Sequence, residues 1–424
     1  MKIYKRISTL IKSKTFKSVS VLLTGSLLAQ LIIFISLPVM TRLYSTFNVG
    51  IYSLILSAVA IFSPVINGKY ELSIMQEEDE NKIYTLYRLC IKVGKILSLI
   101  VAIGYLFYFA FNKAFQSYTI IFSIAIFIQL LFYTLYNPLI AYNNRVEKYS
   151  NISNSMIIRN IVQSAVFILL GLLSYNYLGL LFSLILGQIA ATLFLIKTSK
   201  KIKLGMEEFE KSDIDFYLKK YKKMPMFTAP ATLANTLSYS SINIFIGFFF
   251  GLEILGLYSI SYKVLGLPLV LISGNIARVY FQKATTENER LGNFYNITIK
   301  TIVFLSAFSF LMFLVMFFLI PVLMPFLFGN DWSTAGKYVQ IFAPMFSIRF
   351  ITSSISYGLV IAGKQRIDFI LQMLFIVFLF IGALLTSFLE LNIETFLIFL
   401  SATYSLVYLI YLGSIVMYSK KMAI

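Results

Sequence analysis

The chain has no histidine and one cysteine, Cys90, among its 424 residues. These two scarcities exclude intrachain disulfides, zinc sites built from cysteine and histidine, and histidine proton relays. Charged residues are also few, at 13% against roughly 25% in an ordinary soluble domain. The composition therefore argues against a water-soluble fold.

Motifs for nucleotide hydrolysis are missing as well. The sequence contains no P-loop pattern, no cluster of metal ligands and no triad arrangement of nucleophile, base and acid. The sequence thus predicts a protein that is not an enzyme and that needs no cofactor.

Apolar residues dominate what is present. They make up 59% of the chain, and the mean hydropathy is +0.83. Runs long enough to cross a bilayer as helices recur at about 20–43, 46–67, 90–111, 117–141, 153–175, 177–196, 226–250, 254–277, 297–320, 338–362, 368–388 and 395–417. The predicted fold class is an all-α integral membrane protein with about twelve transmembrane helices in two halves of six.

Positive charge predicts the orientation of these helices. The formal net charge is +18, and most lysines and arginines lie in the segments that share a side with the N-terminus. The other side holds only Lys113 and Lys337, with Arg42 near its edge. The asymmetry predicts that both termini are cytoplasmic. Nucleic acid is the alternative partner for a basic chain, but no soluble basic domain exists to bind it.

The order of polar and apolar segments predicts the domain limits. We expect a cytoplasmic N-tail at 1–19, a six-helix bundle at 20–196, a cytoplasmic linker at 197–225, a second bundle at 226–417 and a C-tail at 418–424. The basic N-tail precedes a full-length span without a cleavage site, so it is predicted to be retained. The lysine clusters of the linker favour either contact with anionic lipids at the cytoplasmic face or a solvated loop.

The two halves carry a short internal match. Gly50-Ile51-Tyr52-Ser53 opens the second span, and Gly256-Leu257-Tyr258-Ser259 opens the eighth. Gly68 and Gly274 share the same offset of 206 positions. This spacing, about half of the chain, predicts a parallel repeat of a six-helix unit.

Basic residues inside the predicted spans are the best clue to a cargo, because charges at bilayer depth are costly and usually face a cavity. Lys263 and Arg349 lie near the middle of spans eight and ten, and Arg159 and Arg42 lie farther from the midplane. For the last two, snorkelling to a lipid headgroup is an equal alternative. Fixed cations predict an anionic ligand such as a phosphate or pyrophosphate.

Acidic residues give the complementary argument. Glu71, Glu253, Asp368, Glu390 and Glu394 all lie near span ends, whereas an exporter of organic cations needs a carboxylate near the midplane. Asparagines and a glutamine could bind sugar hydroxyls in a cavity or bond between helices instead; they are Asn67, Asn235, Asn243, Asn275 and Gln30.

Short motifs resemble those of a known family. Residues 25–74 carry Pro38, Thr41-Arg42-Leu43-Tyr44, Gly50 and Tyr70-Glu71-Leu72, and the loop FGNDWSTAG carries Gly329, Trp332, Ala335 and Gly336. Both segments resemble the polysaccharide-exporter, or Wzx-type lipid-linked oligosaccharide flippase, family of the MOP superfamily. Lys69 stands where that family often has arginine. The resemblance implies a MATE-like fold, with two six-helix bundles flanking a central cavity.

The resemblance also implies an activity. Members move undecaprenyl-diphosphate-linked repeat units, of O-antigen or capsule, from the cytoplasmic to the outer leaflet of the bacterial inner membrane by alternating access. Lys263, Arg349 and Arg42 would then hold the diphosphate, and glycan polymerase and chain-length proteins would be partners. The alternatives are a membrane-embedded glycan polymerase, a peptidoglycan-precursor flippase and a MATE-type small-molecule exporter.

Overall fold

The structure is a computed structural model that describes residues 14–77, 79–112, 115–199 and 211–420. The predicted tail residues 1–13 and 421–424, the outer-side Lys113 and the linker residues 200–210 lie outside the described residues. Within the described part of the chain the regular structure is helical. Only helices satisfy every backbone hydrogen bond within one segment of a lipid-embedded chain, so the apolar composition and the fold agree.

Contacts divide the described residues into two compact units. Among the described residues, unit 1 is built from those within 14–44 and 54–240, and unit 2 from those within 45–53 and 241–420. The division follows contacts rather than span counts, so the predicted bundle limits at 196 and 226 stay a prediction. The first residues of the second long helix belong to unit 2, which brings one of the two matched tetrapeptides into the same unit as the other.

Eight helices lead from the N-terminal side of the chain to the middle. They are α1 (Lys14–Leu43), α2 (Thr46–Phe62), α3 (Glu80–Phe111), α4 (Thr119–Arg145), α5 (Tyr149–Leu172), α6 (Asn176–Thr198), α7 (Lys211–Lys220) and α8 (Ala229–Phe249). A π-helical turn, Met224–Thr228, precedes α8.

Seven further helices complete unit 2. They are α9 (Leu252–Pro268), α10 (Gly274–Leu291), α11 (Tyr295–Leu314), α12 (Ile320–Phe328), α13 (Ser333–Ile355), α14 (Gln365–Leu389) and α15 (Ile393–Ser419). The π-helical turns Leu269–Ser273 and Val315–Leu319 join α9 to α10 and α11 to α12 without a break in the helical path. Each junction lies next to a proline, Pro268 or Pro321, whose missing N–H loosens the helix there.

Eleven helical stretches of the described chain are long and apolar enough to cross a membrane. The predicted all-α membrane fold is therefore confirmed. The predicted seventh span is the difference: α8 has 21 residues, a spanning length, but Asn235, Asn243 and the run Tyr239–Ser241 lower its apolarity. Large exposed side chains such as Ile35, Phe111 and Phe388 suit a lipid-facing surface.

Each unit has its own packed interior. In unit 1, Ile214 and Tyr217 of the linker helix α7 join a cluster formed by α3, α4 and the segment after α2. In unit 2, Phe350 of α13 packs with Tyr280 of α10 and Ile415 of α15. The linker helix is thus a packed part of unit 1 where the structure describes it.

Candidate functional site

Lys263 of α9 is the least compensated cation in the described part of unit 2. Its Nζ is buried and has no hydrogen-bond partner among the described residues. The ammonium lies over the ring of Tyr52, 4.7 Å from the ring centroid. A cation on a ring face is attracted by the ring quadrupole, but none of its three N–H donors is satisfied by that contact.

Arg349 of α13 is held more completely. Its Nη1 donates a 2.7 Å hydrogen bond to the hydroxyl of Tyr262, the residue directly before Lys263. The guanidinium also lies 5.3 Å from the centroid of Phe346 and 6.0 Å from that of Tyr408. Arg349 is therefore anchored to α9 by Tyr262, the residue next to Lys263 in the sequence.

A close helix crossing brings Tyr52 to Lys263. Gly50 of α2 and Gly256 of α9 lie so near each other's helix that a Cβ on Gly50 would be 1.8 Å from the Leu252 carbonyl oxygen. A Cβ on Gly256 would be 2.0 Å from the Thr46 carbonyl oxygen. Only glycine permits this approach.

The crossing is reciprocal in sequence. Leu252 is the counterpart of Thr46, and Gly256 of Gly50, at the predicted offset of 206. Gly50 approaches Leu252, and Gly256 approaches Thr46, which is the counterpart of Leu252. Such reciprocal contacts are typical of two segments related by a two-fold axis. The equivalent segments of the two halves pack against one another inside unit 2.

Arg159 of α5 lies in unit 1 and not with the other two. Its Nη1 is 3.1 Å from the Tyr133 hydroxyl of α4, and its Nε is 3.5 Å from Oδ1 of the neighbouring Asn160. Asn160 in turn donates to the Ala29 carbonyl of α1. Arg159 belongs to a polar network between three helices of unit 1.

Arg42 and the asparagines predicted for the site differ in their exposure. Arg42 is exposed in the last turn of α1, and Asn235 and Asn275 are exposed as well. Asn67 is fully buried, and its amide donates to the Cys90 and Thr134 carbonyls at 3.0 Å each. This placement favours, for Asn67, the interhelical alternative over sugar binding.

Two acidic residues lie outside the membrane-spanning stretches on the segment between α2 and α3. Glu71 is buried beside Lys69 at 3.7 Å, and burial raises the pKa of its carboxyl. Glu77 accepts hydrogen bonds from Lys220 at 2.6 Å and Tyr221 at 3.0 Å, and the Lys220 bond lowers the pKa of Glu77. These carboxylates compensate lysines of unit 1.

Tyr52 and Tyr262 are the residues that the sequence did not identify as part of the site. Tyr52 was visible only as the third residue of the GIYS match. Lys263 offers unmet N–H donors beside the aromatic ring of Tyr52. Such a surrounding strengthens the attraction of a fixed cation for an anion.

Comparison with known proteins gives the family context. A family model described as polysaccharide biosynthesis protein matches residues 39–337. No curated protein sequence matches the chain.

Solved structures share the fold at low sequence identity. A lipid II flippase, MurJ, in an inward closed conformation has a TM-score of 0.69 and 13% identity, over 94% of this chain and 86% of that one. An inward-facing multidrug resistance MATE family transporter of the MOP superfamily has a TM-score of 0.63 and 12% identity, over 96% and 98%. A MOP superfamily transporter from Pyrococcus furiosus, whose description names a binding pocket of reverse polarity, has a TM-score of 0.53 and 11% identity, over 96% of each chain.

Proposed function

Because the chain belongs to the polysaccharide biosynthesis protein family, we propose that it moves undecaprenyl-diphosphate-linked oligosaccharide from the cytoplasmic to the outer leaflet. The fold is that of membrane transporters and flippases of the MOP superfamily. The repeat unit of an O-antigen or a capsule is the cargo class, and the bacterial inner membrane, with both termini cytoplasmic, is the location. Anionic lipids and a glycan polymerase are the partners that this role requires.

The buried ammonium of Lys263 carries the proposal. It has no hydrogen-bond partner among the described residues, and Arg349 donates to the hydroxyl of Tyr262 on the same helix. A diphosphate between a polyprenyl tail and a sugar head is an acceptor-only dianion, so it matches the unmet donors of Lys263 at this depth. The tail stays in the bilayer while the head crosses.

Two features of unit 2 support alternating access as the mechanism. Pro268 and the π-helical turn Leu269–Ser273 interrupt the regular helix directly after Lys263. A π-helical turn exchanges hydrogen-bond partners more readily than an α-helix, so it is a place where a helix can bend. Bending there would change the side of the membrane to which Lys263 is open.

The alternatives make different demands on the site. An exporter of cations needs a carboxylate where Lys263 and Arg349 lie. A peptidoglycan-precursor flippase would use the same cationic chemistry, and the lipid II flippase described above shares the fold alone at 13% identity. A polymerase would leave single repeat units on the outer leaflet after gene deletion, whereas loss of a flippase would leave them inside.

Leaflet-resolved labelling of the lipid-linked glycan tests the proposal. Cells depleted of the protein should hold the glycan on the cytoplasmic side, and the wild-type gene should restore delivery. The Lys263→Ala/Arg349→Ala variant should not restore it, although its membrane abundance is normal. Lys420→Ala is the matched control, since Lys420 also lies over a tyrosine, Tyr295 at 4.8 Å, but outside the membrane spans. Normal delivery by the double variant would contradict the proposal.

A further inference from the structure

Two serine hydroxyls, on α2 and on α9, share with Lys263 the lack of a hydrogen-bond partner among the described residues. Ser53 and Ser259 are 3% and 5% exposed, and neither Oγ has a hydrogen-bond partner among the described residues. A helical serine ordinarily donates to the carbonyl oxygen of the preceding turn. Ser261 does so, to the Leu257 carbonyl oxygen at 2.8 Å. The two buried hydroxyls are therefore an exception that calls for a ligand-based explanation.

The geometry of the glycine crossing places these groups together. Ser53 lies three residues after Gly50, and Ser259 lies three residues after Gly256, so each serine is on the helix face that meets the other helix. Lys263 follows Ser259 by four residues on the same face of α9, and helical side chains lean toward the N-terminus. Its ammonium lies over Tyr52, the residue before Ser53.

The chemistry of the three groups is that of an oxyanion site. An ammonium and two hydroxyls supply hydrogen-bond donors. Leaving such groups buried and unpaired is unfavourable, and an anion with several acceptor oxygens relieves it. A neutral sugar hydroxyl would leave the ammonium charge unbalanced.

We propose that Ser53, Ser259 and Lys263 form a cradle for one phosphate group of the lipid-linked substrate, built from equivalent segments of the two halves. The inference rests on the proposed function and names residues that would act in it. In this structure the two hydroxyls and the ammonium are buried. Taking up the phosphate requires the Lys263 side chain to leave the Tyr52 ring, which its four flexible side-chain bonds allow.

Binding to the purified full-length protein in mixed micelles tests the cradle. The probes are undecaprenyl diphosphate, undecaprenol, which lacks the phosphates, and inorganic pyrophosphate. The Ser53→Ala/Ser259→Ala variant should bind undecaprenyl diphosphate about tenfold or more weakly than wild type, because a hydrogen bond to a charged group is worth about tenfold or more in affinity. Undecaprenol binding should not change.

Ser261→Ala is the matched control, because its hydroxyl is on the same helix and already bonded to the Leu257 and Ala335 carbonyl oxygens. The double serine variant should have a thermal unfolding temperature equal to or above that of the wild type, since the buried hydroxyls it loses make no bond among the described residues. Diphosphate affinity in that variant equal to the affinity of Ser261→Ala would overturn the cradle.

The binding and delivery measurements test the source of the phosphate and the proposed function separately. Weakened binding of undecaprenyl diphosphate without measurable binding of pyrophosphate assigns the cradle to a lipid headgroup. Serine-dependent binding of pyrophosphate, with normal glycan delivery in depleted cells, would refute the flippase and leave a cradle for free anions. Normal Lys263-dependent delivery by the double serine variant would refute the cradle and leave the flippase standing.

Discussion

Two of the lysines that lie against tyrosine rings, Lys220 and Lys263, have different surroundings. Lys220 of the linker helix lies 5.1 Å from the Tyr221 centroid, and its Nζ donates to Glu77 at 2.6 Å. Lys263 lies 4.7 Å from the Tyr52 centroid and has no hydrogen-bond partner among the described residues. The first charge is balanced outside the spans, and the second is left unbalanced within one.

The difference distinguishes a structural cation, Lys220, from the cation that we propose binds a ligand, Lys263. A paired lysine ties its helix to a neighbour, and its removal leaves an acid without a partner. An unpaired buried lysine reduces stability by itself, and it is retained where a ligand uses it. The four predictions that follow test this contrast, from the largest expected effect to the smallest.

Substitution of Gly256 should have the largest effect, because the glycine crossing holds Tyr52 against Lys263. Gly256→Ala would place a Cβ 2.0 Å from the Thr46 carbonyl oxygen. The clash is with backbone, so the helices must separate, at a cost of about 3 kcal/mol or more. Thermal unfolding of the purified protein should show a large fall in Tm.

Gly266→Ala on the same helix is the control for the loss of a glycine. A Cβ at Gly266 has nothing within 4 Å, so alanine there should leave Tm unchanged or raise it slightly, as alanine favours a helix over glycine by about 1 kcal/mol. Equal Tm values for the two variants would show that the crossing is not close in the protein.

Removal of the Lys263 charge should reverse the usual link between stability and activity. Lys263→Met keeps the side-chain length and removes the unpaired buried ammonium, so the free energy of unfolding should rise by on the order of 1 kcal/mol or more. Glycan delivery should be lost. Thermal unfolding and leaflet-resolved labelling measure the two effects on the same variant.

Lys220→Met is the matching substitution at the paired lysine, for comparison with Lys263→Met. It leaves Glu77 without its closest donor, so Tm should fall while glycan delivery continues. A fall in Tm for Lys263→Met, of the kind expected for Lys220→Met, would contradict the assignment of Lys263 as an uncompensated charge.

Tyr52 should contribute to stability through its ring, which lies under Lys263. Tyr52→Leu should lose about 0.5–2 kcal/mol relative to Tyr52→Phe, because only phenylalanine keeps the cation–π contact. The same change in a Lys263→Met background separates this contact from ring packing by a double-mutant cycle. No coupling between the two positions would contradict the contact.

The sequence predicted the membrane fold, because apolar length depends on one segment at a time. It also identified Lys263 and Arg349 as charges within predicted spans, and their role in binding stays a prediction. It also predicted the offset of 206 that relates Gly50 and Gly256. It did not predict the Tyr52 contact with Lys263, since packing between distant segments leaves no periodic signal. Asn67 illustrates the same limit, because a buried asparagine has one letter whether it bonds carbonyls or a sugar.

The Glu77–Lys220 pair should give the smallest effect, visible as a pH dependence. The hydrogen bond from Lys220 lowers the pKa of Glu77 from its ordinary 4.5, so this stabilisation is complete above that value and is lost as the pH falls through the lower pKa of the folded protein. Glu77 in turn raises the pKa of Lys220 to about 12, which keeps the lysine charged throughout the acidic range. Between about pH 7 and about pH 3, Tm should therefore fall slightly more in the wild type than in Glu77→Gln. Lys263→Met should show the same acid-induced fall in Tm as the wild type, because Glu77 and Lys220 lie in unit 1 and Lys263 lies in unit 2. An acid-induced fall in Tm that requires Lys263 would show that the two lysines are not independent.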